Sequence, residues 1–212
     1  MKKILLGLSL FSVILLVSCN KEENVAKAYT YTVDEEFLNN ERGWDVFETD
    51  EAYKAVINTS ENGLFEIVTK LRTFEDFTES FFDLTSEFML ETTFTFIRSG
   101  DSKSFTGVTW DCIDENNYML FCVNQNGGDA KYVISQVING KNPEKNILFE
   151  GEILLPYPPV YALNVSRSDT TLNFSVNGVH VEAIGTADLL SSTIGLYTRK
   201  NDANFHYLRA GK

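Results

Sequence analysis

The chain is poor in sulfur, imidazole and proline. Its 212 residues include three cysteines, two histidines, two tryptophans and four prolines. Three cysteines cannot build a multi-disulfide framework, so the fold has to rest on a hydrophobic core. No Cys/His spacing suggests zinc. Basic residues are scarce as well: 18 Lys and Arg face 30 Asp and Glu, a formal charge of −12. Such a surface repels phosphate backbones and excludes nucleic acid as a partner. It equally disfavours electrostatic binding to anionic lipid. No apolar run reaches the roughly 20 residues that span a bilayer. Internal repeats and convincing amphipathic helices are also missing. What is plentiful is apolar material, 43% of the chain with sixteen Phe, enough for the core of one domain.

Lys2 and Lys3 precede an uncharged stretch, Ile4–Val17, broken only by Gly7, Ser9 and Ser12. A charged start, a short apolar run and small residues at its end read as a secretory signal over residues 1–18. Leu16-Val17-Ser18-Cys19 resembles the lipobox of bacterial lipoproteins. The resemblance implies cleavage before Cys19 and lipidation of its sulfur. Two or more acyl chains, palmitate among them, anchor stably where one binds only marginally. Asn20-Lys21-Glu22-Glu23 resembles the surface-export signal of Bacteroidetes lipoproteins. The expectation is a protein held to the outer membrane by lipid alone and exposed at the cell surface. Residues 19–29 then form a tether and residues 30–212 the folded domain. Loss of Lys2 and Lys3 takes the charge to −14.

From Tyr29 onward, short β-rich runs alternate with turn signals. The runs are Tyr53–Ile57, Leu64–Thr69, Phe88–Phe96, Phe105–Cys112, Tyr118–Val123, Lys131–Val137, Ala162–Ser166, Leu172–Val176, Val179–Ala183, Ile194–Tyr197 and Phe205–Leu208. Four Asn-Gly pairs supply strong hairpin cues. Phe88–Phe96 places Phe88, Leu90, Thr92, Phe94 and Phe96 on one face. Pro143–Pro159 reads as an irregular connection, since Pro156, Pro158 and Pro159 exclude a central strand. The pattern predicts an all-β, two-sheet antiparallel β-sandwich. A hairpin through Ile113–Asn117 sets Cys122 opposite residue 108 or 109, three or four positions from Cys112. That is some 10 Å at about 3.4 Å per residue, beyond the roughly 7 Å limit for a disulfide. Both thiols are expected to be free and buried.

Several ordered pieces carry a family likeness: Gly43-Trp44, Asn62-Gly63-Leu64-Phe65, Phe88-Met89-Leu90-Glu91, Gly107-Val108-Thr109-Trp110, Asn117-Tyr118-Met119-Leu120-Phe121, Phe174-Ser175-Val176-Asn177-Gly178, Ile194-Gly195-Leu196-Tyr197 and Asn204-Phe205-His206-Tyr207. Together they resemble the concanavalin A-like lectin/glucanase domain, a laminin-G-like jelly roll, over roughly Thr30 to Ala210. The resemblance implies two antiparallel sheets, one of them concave. The fold hosts sugar-binding, protein-binding and hydrolytic members alike, so function has to be read from the site.

The laminarinase-type hydrolases of that family carry Glu-x-Asp-x-x-Glu on one strand, and retention needs carboxylates about 5 Å apart. No such string occurs here. Glu75-Asp76-Phe77-Thr78-Glu79 has the wrong spacing and reads as a solvated connection. The strand Tyr118–Gln125 has Asn124 and Gln125 where related sugar-active modules place an acid and a Gln. His206 reads as a sheet position and His180 as exposed beside a turn, and no Gly-x-Ser-x-Gly elbow accompanies them. Asp111, Asp114, Glu115, Asn116 and Asn117 form an oxygen-rich turn; its donors would suit Ca²⁺, though such turns are usually only solvated, and no cofactor is expected. Trp110 and Tyr118 flank the same hairpin. Flat rings beside Asp111, Asn117, Asn124 and Gln125 suit a sugar, whose C–H face stacks while its hydroxyls bond. The rival placement puts Trp110 in the core. The reading is a non-catalytic module for carbohydrate, with Trp110, Asp111, Asn117, Tyr118, Asn124 and Gln125 as ligand contacts. A glycoside-active enzyme and a domain that binds a surface protein are the alternatives.

Overall fold

The computed structural model describes residues 30–50, 53–59, 63–69, 73–78, 87–98, 104–126, 129–141, 143–153, 160–185 and 189–212. The signal segment, Cys19, the tether to residue 29, Glu79 and Pro156, Pro158 and Pro159 lie outside the described residues.

Period-2 alternation dominates the described chain, and its strands assemble into two antiparallel sheets. Chain order gives β1 (Tyr31–Glu35), β2 (Phe47–Asp50), β3 (Tyr53–Asn58), β4 (Leu64–Val68), β5 (Thr73–Thr78), β6 (Phe88–Arg98), β7 (Phe105–Asp114) and β8 (Asn117–Asn126). It continues through β9 (Asp129–Val137), β10 (Ile147–Glu152), β11 (Tyr161–Ser168), β12 (Thr171–Val176), β13 (Val179–Gly185), β14 (Ile194–Arg199) and β15 (Asp202–Gly211). The nine-stranded sheet runs β13-β12-β11-β6-β15-β4-β3-β2, with β1 beside the far half of β15. The six-stranded sheet runs β10-β9-β8-β7-β14-β5. Among the described residues there is no α-helix, and a 3-10 turn spans Pro143–Lys145.

Why these residues choose strands is visible in β12, whose Leu172, Phe174 and Val176 are buried while Thr171, Asn173 and Ser175 are not. β6 sends Phe88, Leu90 and Phe94 inward, as its alternation predicts. They meet Val108, Trp110, Phe121, Ile134 and Leu196 from the other sheet. Each such side chain contributes about 1.5–3 kcal/mol by leaving water. The hairpin between β12 and β13 turns at Asn177 and Gly178, both left-handed (φ 50° and 76°). That is the primed geometry matching strand twist, and it is why Asn-Gly stands there.

Three expectations are corrected. Glu75 to Thr78 belong to β5, paired with β14, and are not a solvated connection. β10 lies inside the stretch read as irregular and pairs with β9. Cys122 faces Gly107 rather than residue 108 or 109. The register slips because β7 bulges between Trp110 and Asp114, with Asp111 left-handed at φ 51°. Cys112 and Cys122 are both free and buried.

Candidate functional site

The bulge decides what the outer face of the six-stranded sheet displays. Across that sheet, Glu75, Tyr197, Gly107, Cys122, Val133 and Glu150 form one row of directly paired residues. Around it, Phe105, Cys112, Tyr118, Leu120, Cys122, Val133, Val137 and Tyr197 make a buried apolar cluster of its own. On β7 this face is therefore taken by Gly107, Thr109 and, past the bulge, Cys112. The spacing is that of Glu-x-Asp-x-x-Glu, with no carboxylate at any of the three positions.

Polar groups are set into this cluster. The Tyr118 hydroxyl donates to the Glu75 carboxylate at 2.5 Å. Desolvation raises the pKa of the Glu75 carboxyl, against the lowering effect of that bond. Burial pushes the Tyr118 phenol up, and Glu75 pushes it further. Burial likewise raises Tyr197, opposed by Arg199. Burial pushes the Cys112 thiol up to about 12, so it carries no thiolate at neutral pH. Arg199 donates to Glu144 from Nη1 and Nη2, tying the 3-10 turn to β14. The Ser135 hydroxyl donates to the Pro143 carbonyl at 2.6 Å and holds the same turn to β9.

The six residues expected to hold a ligand are not brought together. Trp110 is fully buried on the inner face, 5.5 Å from the Phe174 ring, and is core rather than a stacking platform. Gln125 is also an inner-face residue and is 1% exposed, with neither amide atom paired. Tyr118 and Asn124 point to the opposite face, and both are buried. The Asn124 amide donates to the Ser104 carbonyl at 2.5 Å. Asp111 accepts from the Leu190 and Ser191 amides at 2.6 and 2.8 Å. Asn117 bonds Asp114 and accepts from the Asn139 amide at 3.1 Å. The oxygen-rich turn is split, since Asp114 ties the Asn116 amide and the Asn117 side chain while Asp111 turns to residues 190 and 191. Among the described residues no three His, Cys, Asp or Glu side chains converge for a metal.

Sequence reasoning missed Glu75, Glu144, Tyr197 and Arg199 as partners. Alternation could have put Tyr197 and Arg199 on one face of β14. Nothing local marks Glu144, which reaches Arg199 across 55 residues.

No protein-family model and no curated protein matches the chain. Solved structures do resemble it. A carbohydrate binding module, CBM66 from Bacillus subtilis, aligns with a TM-score of 0.55 at 14% identity, over 80% of this chain and 96% of that one. A Bacillus licheniformis β-glucanase aligns at 0.57 and 9% identity, over 88% and 99%. A Crh5 transglycosylase aligns at 0.56 and 7%, over 85% and 83%. At such identities the likeness is one of architecture: the chain folds as a two-sheet antiparallel jelly-roll β-sandwich.

Proposed function

We propose that this protein is a non-catalytic carbohydrate-binding module, anchored to the outer membrane through acyl chains on Cys19 and displayed at the cell surface. The observation that carries the reading is the trio Gly107, Thr109 and Cys112. The fold is one that carbohydrate-binding modules and glycoside-active enzymes share. Hydrolysis on the outer face of the six-stranded sheet needs two carboxylates about 5 Å apart for retention, or roughly 6.5–9.5 Å for inversion. The motif-spaced positions there hold a hydrogen, a hydroxyl and an unionised thiol. Those groups supply no acid–base pair, which supports binding without cleavage.

The proposed lipid anchor rests on the resemblance of Leu16-Val17-Ser18-Cys19 to a lipobox. Intact-mass measurement of membrane-extracted protein should find Cys19 as the acylated first residue, and Cys19→Ala should release the protein from membranes. A mature N-terminus elsewhere refutes the anchor. For the module, residues 19–212 should be retarded in gels containing a soluble polysaccharide and release no reducing ends from it. Release of reducing ends would make it an enzyme. Retardation by no polysaccharide, together with capture of a purified surface protein, would make it a protein-interaction domain.

A further inference from the structure

We propose that the outer face of the nine-stranded sheet, centred on Tyr31, Tyr207 and Arg209, is a binding surface for a neutral glycan chain. This rests on the carbohydrate reading and gives it a location and a ligand class. Among the described residues, the outer-face aromatics of the six-stranded sheet, Phe105, Tyr118 and Tyr197, are buried and offer no open ring for stacking.

On β15, Leu208 and Ala210 enter the core, so alternation turns Tyr207, Arg209 and Gly211 outward. Gly211 stands opposite Tyr31. A β-carbon at 211 would lie 2.6 Å from the Tyr31 Cα and 2.2 Å from the Thr30 carbonyl oxygen. The bare position thus lets β1 come close and brings the Tyr31 ring into the group. The Arg209 guanidinium carbon then sits 4.5 Å from the Tyr207 ring centre and 5.6 Å from that of Tyr31. Its Nε donates to Asp34 at 2.6 Å and its Nη2 to Glu36 at 2.8 Å. The Tyr31 hydroxyl donates to Glu91 at 3.0 Å. Every member is held by another, and all are partly exposed. The entropy of ordering these side chains is therefore spent in folding, not in binding.

The stack does not stand alone. From it a row of paired outward positions, Asp34, Arg209, Glu91, Asn164, Ser175 and His180, crosses six strands. At about 4.8 Å per strand that is roughly 24 Å of carboxylate, amide and hydroxyl. A row on a sheet face reads a chain along its length and does not clasp an end. Beside the stack, and sharing Asp34 and Glu36 with it, lies a cleft of about 470 Å³ lined also by Asn39, Glu41 and Arg42. Tyrosine rings suit sugar C–H faces, and fixed carboxylates and amides suit pairs of hydroxyls. Asp34, Glu36, Glu41 and Glu91 outnumber Arg42 and Arg209, so the local field is negative. It repels uronate- and sulfate-bearing chains and selects neutral ones.

The test is affinity gel electrophoresis of residues 19–212 in soluble β-glucan, xylan, mannan, polygalacturonate and alginate. At least one neutral polysaccharide should retard the protein, and neither anionic one should. Tyr207→Ala and Glu91→Gln should each weaken that retardation about tenfold, while Tyr207→Phe, which keeps the ring, binds as the parent does. Melting curves establish that the variants are folded, and Glu91→Gln supplies the answer if Tyr207→Ala unfolds. Neutral-glycan binding unchanged in Glu91→Gln and in folded Tyr207→Ala overturns the surface and leaves the carbohydrate reading standing. Retardation by anionic chains alone overturns the ligand class. Binding to no polysaccharide ends both.

Discussion

Trp110 and Tyr118 flank one turn and bury on opposite sides of the same sheet. Truncating Trp110 empties the space against Phe174, and Trp110→Ala should cost about 3–5 kcal/mol in denaturant unfolding. A near-neutral result would mean that the indole is not core. The cysteines make a second residue-scale test. Cys112 and Cys122 are buried and unpaired, with burial suppressing their thiolates. Thiol reagents should find both slow in the native domain and both reactive once it is unfolded without reductant. His206 gives a pH signature. Its imidazole is half-buried with Nε2 unpaired, and burial holds its pKa below the ordinary value. The unfolded chain therefore takes up the proton first as pH falls. Stability should be full above about pH 6.5 and decline as pH drops through the lowered folded value. His206→Gln should flatten that part of the stability–pH curve.

At the scale of elements, the centre of the six-stranded sheet depends on a glycine. A β-carbon on Gly107 would fall 2.1 Å from the Phe121 carbonyl oxygen and 2.6 Å from the Cys122 Cα. These are backbone atoms of the paired strand, so they cannot swing aside. Gly107→Ala should cost about 3 kcal/mol or more, read as a fall in melting temperature. Position 178 tests the other kind of glycine. A β-carbon there meets nothing within 4 Å, but φ is 76°. Gly178→Val should therefore destabilise through backbone strain alone, by about 1–2 kcal/mol. Strand existence was legible wherever alternation was strong, as in β6, β11 and β12. β1 and β2 were not among the predicted runs, and β5 and β10 show why such strands escape. Thr73–Thr78 carries two acids, and all but one of the β10 residues are exposed. Both are edge strands, each pairing along one side with a neighbour's backbone, and neither shows the alternation that marks β6 or β12.

The whole molecule is a sandwich with a filled interior and a second apolar cluster outside one sheet. A far-UV spectrum of residues 19–212 should show a strand minimum without helical bands. A helix-dominated spectrum would contradict both the periodicity and the fold. The formal charge of −12 opposes association of copies through β10, which ends its sheet among the described strands and carries the exposed side chains of Ile147, Leu148 and Phe149.

Composition, periodicity and turn chemistry determined the class of fold, most of its strands and the free state of the two thiols. These are local or additive properties: alternation sets a face, Asn-Gly sets a turn, and charges sum. Which side chains share a surface was decided only by tertiary structure. A bulge between Trp110 and Asp114 re-registers the β7–β8 pair. Pairing of β15 with β1 and β6 gathers Asp34, Glu91 and Arg209 from three distant stretches of chain. Neither event has a signature along the sequence, because each depends on which backbone edge meets which, and one residue of register exchanges one face for the other.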